Sequence, residues 1–134
     1  MDMTPRQLGD AIGGLYCEGM SSLAALLDTD DPAQLTAAVE ALKADLIERF
    51  VAFGHQRQAL EADERGAVDM ATQFALRRVD MAAFQAMTAA CNTYRAGHNA
   101  LSNLLASFNV IHQYAAFELL AQQSPEEAAR LGVG

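Results

Sequence analysis

The sequence predicts an all-α protein, an antiparallel up-down bundle of four long helices followed by a short C-terminal helix. Three observations carry that expectation. First, every proline sits between a capping residue and a Glu or Gln: Thr4-Pro5-Arg6-Gln7, Asp31-Pro32-Ala33-Gln34 and Ser124-Pro125-Glu126-Glu127. At such a helix start the capping side chain accepts from an orphan N–H, proline fills the first helical position without losing a bond, and the third residue reaches back. Second, apolar residues recur at helical spacing along most of the chain. Third, no run alternates apolar and polar residues as a strand does, and there is no Asn-Gly or Asp-Gly hairpin turn.

The elements follow in order within one domain spanning residues 1–134. The first helix is expected over residues 5–27, with Leu8, Ile12, Leu15, Leu23 and Leu26 in one stripe. It also holds Gly9, Gly13, Gly14 and Gly19, each costing about 0.5–1 kcal/mol relative to Ala in a helix interior. Gly9, Gly13 and Gly19 are therefore expected at places where another helix approaches closely. The second helix, 32–62, has the stripe Leu35, Val39, Leu42, Leu46, Phe50 and Phe53. Leu60 keeps that phase beyond Gly54, so the chain reversal is expected near Gly66. The third helix then spans 67–94 with Gly97 as its C-terminal cap, the fourth spans 99–121 with Asn99 as N-cap, and the fifth spans 125–131.

Composition bounds function mainly by exclusion. The net charge is -8 and Lys43 is the single lysine. Such a surface repels phosphate backbones and anionic lipid, so neither nucleic acid nor membrane is an expected partner. The N-terminal stretch MDMTPRQLGD lacks the basic and apolar regions of a signal peptide, which predicts a cytoplasmic chain with Cys17 and Cys91 as reduced thiols. Polar residues interrupt the long uncharged tract from Ala96 to Phe117 too often for a membrane span.

That tract is unusual for an amphipathic helix. One stripe, Leu101, Leu104, Leu105, Phe108, Ile111, Ala115 and Leu119, is expected to face the core. On the other side Val110, Tyr114 and Phe117 lie with Asn103 and Ser107. A helix that is apolar on both sides is covered on both sides, and the C-terminal segment offers little to cover it. The expectation is a homodimer, with Asn103, Ser107, Val110, Tyr114 and Phe117 at the interface. The third helix points the same way, since Met70, Phe74, Met81 and Phe84 occupy a side separate from Leu76, Val79, Ala83 and Met87.

No catalytic, metal or cofactor motif emerges. None of the three histidines has a Glu three residues before it, and His-Glu-x-x-His is absent. The carboxylate pairs Asp45/Glu48 and Glu61/Glu64 have helical spacing but read as solvated faces. The expected function is non-enzymatic, self-association and protein–protein interaction of an adaptor or chaperone-like kind. The alternative is a small-ligand or metal-binding bundle, or an enzyme, with a core site around His112 and with His55, Cys91 and Tyr94 as its other candidate residues.

Overall fold

A computed structural model describes residues 3–133. Among them the chain is all-α, with helices α1 (Pro5–Leu26), α2 (Pro32–Gln58), α3 (Ala62–Leu76), α4 (Met81–Tyr94), α5 (Asn99–Ala106), α6 (Phe117–Gln123) and α7 (Pro125–Leu131). A 3₁₀ segment, Ser107–Ala115, joins α5 to α6. Only α1 and α2 are long, so the four-long-helix arrangement is not what forms.

The first two starts are capped as their sequences dictate. Thr4 Oγ1 accepts from the Gln7 amide (3.1 Å) while Gln7 Oε1 accepts from the Thr4 amide (3.0 Å), and Asp31 Oδ1 accepts from the Ala33 amide (2.9 Å). The Ser124 side chain makes no such bond, although α7 does begin at Pro125.

The breaks inside the second, third and fourth expected helices have local causes. Between α2 and α3 the chain turns at Ala59–Glu61 rather than near Gly66. The Glu61 amide donates to Glu64 Oε1 (3.2 Å) and starts a new helix, and Arg65 Nη1 donates to the Leu60 carbonyl and holds the turn. Gly66 lies inside α3. The expected 67–94 helix is interrupted after Leu76, where the Arg78 and Val79 amides bond three residues back to Ala75 (3.1 Å) and Leu76 (3.2 Å). Asp80 then caps α4 by accepting from the Ala82 amide at 2.9 Å. The 99–121 helix starts at Asn99 with His98, not Asn99, in the cap position, tightens at Ser107 and breaks at Ala116 (φ -128°, ψ 87°). These changes resolve part of the two-sided apolarity of that tract, with Val110 left 44% exposed. Three residues per turn lets Phe108 and Ile111 face the core together, and the extended Ala116 swings Phe117 inward.

Helix α1 lies at the centre, packed against α2, α3, α4 and the 3₁₀ segment. Its glycines set the distances. A Cβ on Gly9 would come within 2.5 Å of the Ala71 methyl, and one on Gly13 would overlap the Ala75 methyl. Helix α3 therefore rests almost backbone to backbone on α1. Gly19 admits the Leu46 side chain of α2, and Gly54 admits the Phe117 ring. Nothing lies within 4 Å of a Cβ on Gly14 or Gly66. Phe50, Phe108, Leu8, Met20 and Leu23 are the largest fully buried side chains, and each fully buried residue of this kind contributes about 1.5–3 kcal/mol of transfer free energy.

Candidate functional site

Two adjoining features stand out around α3. The first is a cavity of about 350 Å³ between α1, α2, α3, α6 and the 3₁₀ segment, lined by Ile12, Arg57, Asp69, Thr72, Gln73, His112, Ala115, Ala116, Glu118, Leu119 and Gln122. Arg57 organises it. It continues the apolar stripe of α2 one turn past Phe53, so the helix carries its guanidinium into the interior, where the side chain is 7% exposed. Nε and Nη2 donate to the two Asp69 oxygens (2.9 Å each) and Nη1 donates to Glu118 Oε2 (2.7 Å). Arg65 Nε lies 3.7 Å from Glu118 Oε1. The hydrogen bond to Asp69 and then that to Glu118 raise the basicity of Arg57, against the opposing effect of burial. Both carboxylates remain about half exposed, so they present oxygens at the mouth of the cavity while Arg57 fixes their positions.

His112 forms the opposite wall. Its Nδ1 is buried without a hydrogen-bond partner among the described residues, and its ring meets Tyr16 edge-on at 5.4 Å. Burial lowers its pKa and keeps the imidazole neutral near pH 7.

The second feature is the outer face of α3, on the side away from α1. Asp63, Gly66, Ala67, Met70, Gln73, Phe74 and Arg77 are all exposed along it. Met70 and Phe74 are 66% and 62% exposed, and Met81, at the start of α4, is 58% exposed. Arg77 rests its guanidinium 5.2 Å from the Phe74 ring centroid. Asp69 and Gln73 border both this face and the cavity.

The other expected ligand residues lie elsewhere. Neither His55, Cys91 nor Tyr94 lines the His112 cavity. His55 is exposed and packs edge-on against Phe117 at 5.1 Å, and Tyr94 meets His98 in the same way at 5.9 Å. Cys91 is buried with its Sγ 3.7 Å from Met87 Sδ, and burial raises the pKa of its thiol, as it does for Cys17. Among the described residues no three His, Cys, Asp or Glu side chains come together as metal ligands, and no helix is long and apolar enough to cross a membrane.

The five expected interface residues do not share a face either. Phe117 is buried against Gly54 and His55, which removes it from any exposed surface. Tyr114 is half-buried; its hydroxyl donates to Glu127 Oε1 (3.0 Å) of α7, and burial followed by Glu127 pushes its pKa up to about 12. Ser107 turns back to the Leu104 carbonyl at 2.6 Å, and only Asn103 and Val110 stay exposed. The break at Ala116 and the return of α7 cover Phe117 and Tyr114 from within the chain. Sequence reasoning missed Arg57, Asp69 and Glu118. The available signal was a charged residue in phase with Leu46, Phe50 and Phe53 on a core-facing stripe.

No family model, curated protein or solved structure matches this chain.

Proposed function

We propose that this protein acts by association, with the outer face of α3 as its contact surface. One observation carries the reading: Met70 and Phe74, one helical turn apart, are each more than 60% exposed on a helix whose other face buries Val68, Thr72 and Ala75 against α1. Two large apolar side chains side by side on a rigid helix make an anchor of the kind that groups at interaction sites. The surrounding residues support an adaptor-like role rather than chemistry, since Asp63, Gln73 and Arg77 form a polar rim. The test is sedimentation equilibrium of the wild type and of Phe74→Asp. Association in the wild type that disappears in the variant, with an unchanged thermal melt, is the expected result; a wild type that stays monomeric to high micromolar concentration removes self-association from the proposal.

A second reading is supported by the cavity, as a site for a small molecule with an apolar body and an uncharged or cationic hydrogen-bonding head. Ile12, Ala115 and Leu119 suit the body. The half-exposed carboxylate side chains of Asp69 and Glu118 suit the head and disfavour anions. Native mass spectrometry of the purified protein checks it: a retained mass that Glu118→Gln releases, with the fold intact, supports the reading, and a bare protein mass in the wild type counts against it.

A further inference from the structure

We infer that the occupant of the α3 outer face is a second copy of this chain, the two α3 helices lying antiparallel about a two-fold axis at Met70. The inference rests on the association reading above and adds the partner and the register. A two-fold axis through Met70 sets each residue opposite the one equally far from Met70 on the other helix. Along the exposed face this gives four kinds of meeting. Met70 meets the partner's Met70. Gly66, which has nothing within 4 Å of where its Cβ would stand, meets the partner's Phe74. Ala67 meets the partner's Gln73, and Asp63 meets the partner's Arg77. Phe74 and Gln73 thus each face a small residue, the two Met70 side chains meet at the axis, and each charge faces its opposite.

The charges make the register specific. Asp63 and Arg77 stand 14 residues apart, about 21 Å along the helix at 1.5 Å rise, and both are exposed. Among the described residues neither has an ion-pair partner. In this register the two ends of the pair each gain an Asp63–Arg77 contact, and the apolar residues lie between them. Shifting the partner one helical turn in either direction sends one of the two charges past the end of the opposing α3: Asp63 then faces Met81, or Arg77 faces Ala59. Spacing on the face also suits a helix pair, since Asp63, Gly66, Met70, Gln73 and Arg77 recur at alternating steps of three and four residues.

Three sets of variants test the register by sedimentation equilibrium and non-reducing electrophoresis. Asp63→Arg and Arg77→Asp are each expected to weaken the dimer roughly tenfold, because each change creates two like-charge contacts, and the double variant is expected to regain wild-type affinity. Gly66→Leu is expected to raise thermal stability, as a better helix former at an open site, while weakening the dimer by filling the place of the partner's Phe74. Met70→Cys is expected to give an intermolecular disulfide under mild oxidation, whereas Val110→Cys and the wild type do not. A wild type that is monomeric overturns the association reading and the register with it. A dimer that Phe74→Asp leaves intact overturns the placement on α3. A dimer lost in Phe74→Asp but neither rescued by the charge exchange nor linked through Met70→Cys overturns the register alone.

Discussion

The two faces of α3 follow opposite rules. Its inner face presents Val68, Thr72 and Ala75, all buried, against the bare backbone of α1 at Gly9 and Gly13. Its outer face presents Met70, Phe74 and Arg77, all exposed. Small residues on both sides of the inner contact let the backbones approach, so even one extra methyl group must displace the whole helix. On the outer face the side chains are large and the space before them is open. Tolerance to substitution is therefore expected to differ sharply across a helix only 15 residues long.

The largest effect is expected at the inner contact. Gly13→Leu forces a branched side chain into the Ala75 methyl and the α3 backbone, where the Ala75 carbonyl carbon lies 3.0 Å from the position of the new Cβ. Overpacking of that kind costs roughly 3 kcal/mol, well above the gain of about 1 kcal/mol from removing a helical glycine. Gly14→Ala, in the next position but facing open space, should instead stabilise by roughly 0.5–1 kcal/mol. Chemical denaturation of both variants measures the contrast; equal effects would mean that α1 and α3 are not in close contact.

Arg57 comes next because it ties the C-terminal end of α2 to the edge of α3. Arg57→Ala removes three charge-assisted hydrogen bonds. The stranded carboxylates are half exposed and rehydrate, so the loss is expected at about 1–3 kcal/mol, below that for a fully buried pair. Arg57→Met, which keeps the packing of the stem, should recover part of it in the same denaturation assay. The outer face gives the smaller response in stability: Phe74→Asp is expected to shift the unfolding free energy by no more than about 0.5 kcal/mol.

Sequence patterning revealed the starts of the first two helices better than the rest of the fold. The Thr4 and Asp31 caps are local devices, and each depends on side chains within three residues of the helix start. The apolar stripe of α2 locates Phe50 in the core because helical phase is a local property as well. The breaks at Ala59–Glu61 and at Ala116 are different in kind. Gly66 is the stronger turn signal in isolation, but the Glu64 carboxylate and Arg65 guanidinium close the chain earlier. Ala116 has no breaker chemistry of its own; its extended backbone accompanies the docking of Phe117 on Gly54, a contact across more than 60 residues. His112 was legible as a core-facing histidine. Its cavity partners were not, since Asp69 and Glu118 come from helices whose relative placement follows from those two breaks.

His112 also supplies the smallest expected effect, on the side of the cavity that faces Thr72 and Gln73 of α3. Burial lowers its pKa in the folded chain, whereas the unfolded chain titrates near the ordinary value of about 6.5. Between those two values the unfolded state binds more protons, so stability falls as pH falls. The contribution is fully present above about pH 6.5 and is lost progressively as the pH drops through the folded value. No carboxylate within hydrogen-bonding distance offsets the charge, because Nδ1 has no partner and Asp69 and Glu118 are engaged by Arg57. His112→Phe keeps an aromatic ring against Tyr16 and removes the titrating group. Urea midpoints measured from pH 7.5 down to pH 5 should therefore decline less steeply in this variant than in the wild type. Identical slopes would mean that the imidazole takes up its proton in the folded state at no cost, which requires water or a counter-charge to reach the buried Nδ1.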